Sequence, residues 1–195
     1  WSPLGRMTGS TRRTMGPTVS SIEQLGKREV SEMIKQVRLD ERLIHGQVAV
    51  KWSRILGVNR IIVADDAAAS NALMQKALMM AAPNEVKVAI VDVKRAIELC
   101  QNPKSEPLSI LVIVSDPEAL LAFVTAVPSV GQVNIGNYGR VAPRCNGLER
   151  KALGKNLYVD DEEAALLRRV VDTGLPCVVQ TVPEDVAQDL VRVLA

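Results

Sequence analysis

Histidine is all but missing from this chain: 195 residues contain one, His45. Cysteine is scarce too, with Cys100, Cys145 and Cys177 far apart and no CxxC pair. One histidine and no cysteine pair give a zinc or other metal site no support. An odd, scattered cysteine set excludes a disulfide framework and makes a reduced compartment the default. No apolar run approaches the roughly 18–20 residues of a membrane span. The N-terminus lacks the apolar core of a signal peptide. The chain therefore reads as cytosolic. No GxGxxG follows the first strand and no GxxxxGK[ST] occurs, so dinucleotide and P-loop nucleotide sites have no support. Aromatics are only 3%. Five of the 24 basic and three of the 22 acidic residues lie within 1–32, which leaves 19 of each in the rest. A neutral domain poor in aromatics carries no nucleic-acid footprint.

What is present is aliphatic. Hydrophobic residues make up 47% of the chain, so the core must be built from Val, Ile, Leu, Ala and Met, a set that suits α/β layering. The length fits one domain with an extension. Residues 1–32 are expected to be a flexible extension, linker or appended tail. Residues 1–20 are rich in Gly, Ser, Thr, Pro and Arg without periodicity, and 21–32 make at most a weak helix. Met33 precedes the first convincing strand. The folded domain is expected over 33–195.

From Ile34 strand and helix patterns alternate. Strands are expected at Ile34–Leu39, Arg60–Ala64, Val86–Val91, Leu108–Val114, Val130–Ile135 and Pro176–Val182. Helices are expected at Gln47–Leu56, Ser70–Ala82, Val93–Gln101, from Pro117 onward, at Asp160–Thr173 and at Pro183–Leu194. The last helix is expected to bury Val186, Leu190, Val193 and Leu194. A long glycine-rich loop follows the fifth strand and holds a short strand near Lys155–Val159. Alternation of this kind means an α/β fold, an open, mostly parallel twisted sheet with helices on both faces. Ligands in such sheets bind beyond the C-terminal strand ends, at a switch in topology. The loop after the first strand suits that place.

That loop lies in the stretch Ile34–Val50, IKQVRLDERLIHGQVAV. His45 stands where the loop meets a helix N-terminus, whose open N–H groups and positive dipole end favour a phosphate. A neutral imidazole there can act as a nucleophile. Gly46 lets a backbone N–H approach an anion closely. Arg42 can grip phosphate oxygens with two N–H groups, or it can be a plain solvated charge. Asp40 can hold Arg42, or cap the loop or the following helix. Arg38 shares a strand face with Gln36 and Asp40, and a structural role is open to it. Asp65-Asp66 and Ser115-Asp116 also follow strands. Helix capping is the leading role for both pairs, although Ser115 can donate to a phosphate. Gly136-Asn137-Tyr138-Gly139-Arg140 can wall the site or form a simple turn cluster. A receiver-like domain phosphorylated on Asp65 or Asp66 would need a lysine after a late strand, and none is well placed.

At VRLDERLIHGQV (Val37–Val48) the chain resembles the IIB component of the mannose/fructose/sorbose class of the bacterial phosphoenolpyruvate-dependent sugar phosphotransferase system. RIIVADD (Arg60–Asp66), the segment Val91–Val93 and VNIGNYGR (Val133–Arg140) also fit, so the likeness spans roughly 33–195. The resemblance implies a phosphocarrier that takes a phosphoryl group from a histidine of a IIA protein and passes it to a hexose-type sugar held by the membrane components IIC and IID. It implies that His45 is the phosphohistidine, bonded through Nδ1. Arg42, Asp40, Gly46 and Gln47 would bind or orient the phosphate, with Arg38, Ser115 and Asn137 behind them. It implies a cytoplasmic protein at the membrane transporter that needs no cofactor and no metal, since the phosphoramidate is already activated. Residues 1–32 would be the remnant of a linker to a fused IIA domain, or foreign. GNYGR departs from the Gly-Gly-apolar segment of relatives, at the far wall of the site. The alternative is a regulatory IIB-like module phosphorylated as a signal, without sugar transfer.

Overall fold

The computed structural model describes residues 33–142 and 149–195. The extension expected over 1–32, with its weak helix, lies outside them. Seven strands form one sheet in the order β3-β2-β4-β1-β5-β8-β9. These are β1 Ile34–Asp40, β2 Arg60–Ala64, β3 Lys87–Val91, β4 Ile110–Val114, β5 Val133–Asn137, β8 Cys177–Val179 and β9 Gln188–Asp189. Along that order every neighbouring pair from β3 across to β8 is parallel, and β9 runs antiparallel along β8. A separate antiparallel hairpin, β6 (Lys151–Gly154) with β7 (Leu157–Val159), rises from the long loop.

Helices cover both faces. On one side α1 (Gly46–Leu56), α2 (Asp66–Ser70) and α3 (Ala72–Ala81) pack on Ile61, Val63, Leu111 and Ile113. On the other, α4 (Val93–Gln101), α5 (Pro117–Ala126), α6 (Asp161–Val171) and α7 (Leu190–Val193) pack on Ile62, Ile110, Val112 and Val114. The split follows the period-two alternation of side chains along a strand. Strand β1, at the centre, departs from this pattern. Val37 and Leu39 join the apolar core on the α4–α7 side. Gln36, Arg38 and Asp40 alternate with them and are buried all the same. A buried polar face on a central strand is costly, and it marks where the fold is built for something other than stability.

The helix expected over Ser70–Ala82 is α3, Ala72–Ala81, and Asn71 caps its start, its side chain accepting from the N–H groups of Leu73 and Met74. Residues 66–70 form α2, capped by Asp65. The last helix, expected over Pro183–Leu194, is corrected more heavily. Gln180 donates to the carbonyls of Pro183 and Asp185, and Asp185 accepts from Val182 N–H. These bonds hold a turn. Residues 188–189 then pair with β8, and only Leu190–Val193 is helical. Leu190 and Leu194 are buried as expected, but Val186 is 87% exposed.

The chain leaves β1 toward β2 on one side of the sheet, whereas β5 leads on to β8 on the other. The crevice between the C-terminal ends of β1 and β5 is therefore the switch point, where such sheets bind ligands.

Candidate functional site

The loop Glu41–His45 joins β1 to α1 across this crevice. A turn closes it, with Leu43 N–H donating to the Asp40 carbonyl at 2.9 Å. Leu43 takes a left-handed backbone, φ 54°, at a cost of roughly 1 kcal/mol for a non-glycine residue. Burial of the Leu43 and Ile44 side chains under α1 offsets that. His45 sits at the N-cap of α1 and makes no side-chain cap hydrogen bond, and the first turn holds no acidic residue. The opening N–H groups of an 11-residue helix thus face the crevice with no side chain capping them. The His45 side chain is 18% exposed. Its Nδ1 lies 3.0 Å from the Leu43 carbonyl and 3.9 Å from Asp40 Oδ1, so a proton on Nδ1 is held there and Nε2 carries the lone pair.

Below the imidazole runs the polar column of β1. Arg38 donates to Asp40 Oδ2 at 2.8 Å, to Asn134 Oδ1 at 3.0 Å, and to the carbonyls of Gln180 and Thr181 at 3.1 and 3.0 Å. Its guanidinium stacks on Trp52 of α1, 5.4 Å from the ring centroid, and Trp52 in turn donates to the Thr181 carbonyl. Burial pulls the Arg38 pKa below its ordinary value, and Asp40 opposes that shift. A Cβ on Gly136 would collide with the Arg38 guanidinium, so this glycine is required by close approach. Asp40 does not hold the Arg42 side chain. Its Oδ2 pairs with Arg38, and its Oδ1 accepts from Arg42 backbone N–H at 3.2 Å. Arg38 is therefore the structural support, and the exposed Arg42 side chain is left to the cleft.

The cleft at this crevice has a volume of about 300 Å³ and is lined by Arg42, His45, Val48, Asn137, Arg140 and Asn156, among others. Asn137 and Arg140 bring the GNYGR segment to one side of this cleft. Gly46 and the exposed Gln47 open α1 beside His45. Ser115 is not brought in. It bonds to Asp65 and Asp116 and lines a different cavity, of about 470 Å³, shared with Tyr138 and Glu163. Asp65 and Asp116 cap α2 and α5.

Glu41 escaped the sequence reading. Its carboxylate accepts from four consecutive backbone N–H groups, Gly139 to Ala142, at 2.8–3.2 Å, and from Asn137 Nδ2 at 3.1 Å. Burial would raise its pKa, but the four backbone donors outweigh that and hold it below the usual carboxylate value. Gly139, at φ +90°, lets the same loop pass over the Tyr158 carbonyl, where a Cβ would collide. Glu41's partners lie about a hundred residues away, so no local pattern announces it. Among the described residues no cluster of His, Cys, Asp or Glu could hold a metal ion.

Comparison with known proteins bears on the family and the fold. A probable phosphotransferase enzyme IIB component of Streptococcus pyogenes serotype M6 is 36% identical over 139 residues, covering 71% of this chain and 85% of the relative. The sorbose-specific EIIB component of Klebsiella pneumoniae is 28% identical over 152 residues, 78% of this chain and 89% of the relative. The crystal structure of the IIBSor domain of the sorbose permease from Klebsiella pneumoniae superposes with a TM-score of 0.74 at 25% identity, over 83% of this chain and 95% of that one. Residues 34–195 match the family described as the PTS system sorbose subfamily IIB component, and the chain belongs to that family of the phosphotransferase system.

Proposed function

We propose that His45 is the phosphorylated residue of a sugar phosphotransferase, charged by a IIA protein and discharged onto a hexose-type sugar presented by IIC and IID at the cytoplasmic face of the membrane. The observation that carries the reading is the placement of the only histidine, at the uncapped N-terminus of α1, in a cleft with Arg42. One feature of a relative and one of this chain support the partners. The chain matches 104 residues, 32% of the length, of the mannose-specific EIIAB component of Escherichia coli, whose name joins IIA to IIB. Among the described residues no helix is long and apolar enough to cross a membrane, which fits a component working beside membrane partners.

In the first step a neutral His45 nitrogen attacks the donor's phosphorus in line. The new N–P bond forms as the donor N–P bond breaks, and one proton passes from the His45 ring to the donor ring. Arg42 and the α1 N–H groups stabilise the equatorial oxygens. Transfer through Nδ1, as the resemblance implies, requires the ring to turn about Cβ–Cγ and give up the Leu43 carbonyl. In the second step a sugar hydroxyl oxygen forms the P–O bond, and its proton replaces the phosphoryl group on the imidazole. Asp40, Gly46 and Gln47 orient the loop and the anion, with Arg38 and Asn137 behind them.

The test is a chase. Protein labelled with phosphate through phosphoenolpyruvate, the general phosphotransferase proteins and a IIA is mixed with membranes carrying IIC and IID and a panel of hexoses. Label moving from His45 to a sugar is the expected result. Label that enters His45 but leaves for no sugar would replace transport with the regulatory role.

A further inference from the structure

The cleft holds a second arginine besides Arg42. Arg140 lies on the opposite loop, after β5, yet lines the same space as His45. Its position is fixed at both ends. The backbone N–H donates to Glu41 at 3.2 Å, within the run of four N–H groups that this carboxylate gathers. The guanidinium stacks on Tyr158, 5.3 Å from the centroid, and donates to Tyr158 Oη at 3.2 Å and to the Lys155 carbonyl at 3.1 Å.

Its charge is uncompensated among the described residues. Arg38 and Arg150 are each paired with a buried carboxylate, and no carboxylate lies within ion-pair distance of Arg140. A held arginine whose acceptors are all neutral, placed in an anion-accepting cleft, is a preorganised cation. Glu41 also lines the cleft, but its two oxygens are taken up by backbone N–H groups and the Asn137 amide, and it makes no ion pair with the Arg140 guanidinium.

We propose that Arg140, positioned by the Glu41 carboxylate, is a second phosphate-binding cation of the cleft and contacts the phosphoryl group on or arriving at His45. The inference rests on the phosphohistidine reading above and extends it to the far wall. Glu41 is here a positioning residue. It sits four positions before His45 and ties the nucleophile's loop to the wall, so the two cations move with the histidine rather than apart from it.

The experiment compares wild type, Arg140→Gln, Arg140→Lys and Glu41→Gln as intact protein, each charged through a IIA donor. Two readings are taken: the rate of phosphate gain, and the phosphorus-31 titration of the phosphohistidine. A cation beside a phosphoryl group favours its dianion and lowers its pKa. Arg140→Gln is expected to charge about ten-fold more slowly, less than the loss of a fully buried donor would cause. It should also raise the phosphoryl titration midpoint, which a merely structural role would not move. Arg140→Lys should recover most of the midpoint and part of the rate. Glu41→Gln should resemble Arg140→Gln and shift the amide resonances of 139–142. If Glu41→Gln fails to fold, the exposed Arg140 variants carry the test alone. Wild type that charges on His45 with an Arg140→Gln variant equal to it in both readings would overturn this inference and leave the phosphocarrier reading standing. No phosphate on wild-type His45 would overturn both.

Discussion

Arg38–Asp40 and Arg150–Glu163 are built from the same parts. Both pairs are buried, with side chains 1–6% exposed. In both the arginine stacks on an aromatic ring, Trp52 or Tyr138, at 5.4 and 5.1 Å. The difference lies in where each network ends. Arg150–Glu163 ends on the long loop and on helix α6. Glu163 completes a capping box with Asp160 at the start of α6 and accepts from Tyr138 Oη, while Arg150 ties the carbonyl of Ala142 to the same cluster. Arg38–Asp40 stays open at one end. Its carboxylate still has Arg42 N–H on one oxygen and faces His45 at 3.9 Å. One pair staples the long loop and hairpin to a helix. The other carries an electrostatic support from the middle of the sheet to His45. A buried ion pair alone says little about function, and its open end says more.

The sharpest way to break that contrast is to neutralise each carboxylate. Asp40→Asn leaves Arg38 buried beside a neutral amide and should cost about 3–5 kcal/mol of stability, seen in denaturant unfolding. The molecules that remain folded should also charge His45 at least ten-fold more slowly. Glu163→Gln should cost about 3 kcal/mol through the same physics but change the charging rate of folded molecules less than two-fold. Equal losses of rate in the two variants would erase the distinction. Arg42→Ala sharpens it from the other side. Its exposed side chain should contribute less than about 0.5 kcal/mol to stability, while charging slows by about 30-fold, roughly 2 kcal/mol of transition-state stabilisation.

A smaller effect appears in acid. The Arg150 side chain, Asp160 N–H and Tyr138 Oη outweigh burial and hold the Glu163 pKa below its ordinary value. A carboxylate lowered in the native state contributes stability that is full above its unfolded pKa, about 4.3. That stability is lost as pH falls through the native pKa. The stability gap between wild type and Glu163→Gln should therefore narrow as pH drops from 6 to 3. A gap independent of pH would mean that the carboxylate's charge is not what the pair supplies.

What could be read from the sequence depends on how far each side chain reaches. Strand β2 and helix α4 fall at the residues their apolar patterns predict, because buried strands and one-faced helices are local signals. His45 and Arg42 were legible for the same reason, lying within a single loop-to-helix step. The misreadings come from side chains that act on distant or competing backbone. The short helix at 66–70 goes unforeseen because Asp65 and Asn71 cap two successive helices within a few residues. Gln180 and Asp185 turn the chain where valine spacing alone suggests a helix. The loop cap open to Asp40 is present, through Arg42 N–H, but its pairing with Arg38 shows only in the folded sheet, where Arg38 is locked between Asn134, Gln180 and Thr181. Ser115 was a reasonable phosphate donor by its place after a strand, but Asp65 and Asp116 occupy its hydroxyl. Glu41 looks like one more loop charge until the segment after β5 is folded over it.

The central claim is that His45 carries the phosphate. The direct measurement is mass spectrometry at alkaline pH on protein charged through phosphoenolpyruvate, the general phosphotransferase proteins and IIA, with His45→Ala in parallel. The account predicts a single phosphate on His45, lost in acid, stable in base and absent from the variant. Phosphate on an aspartate, labile in both acid and base, or no phosphate at all, would contradict it.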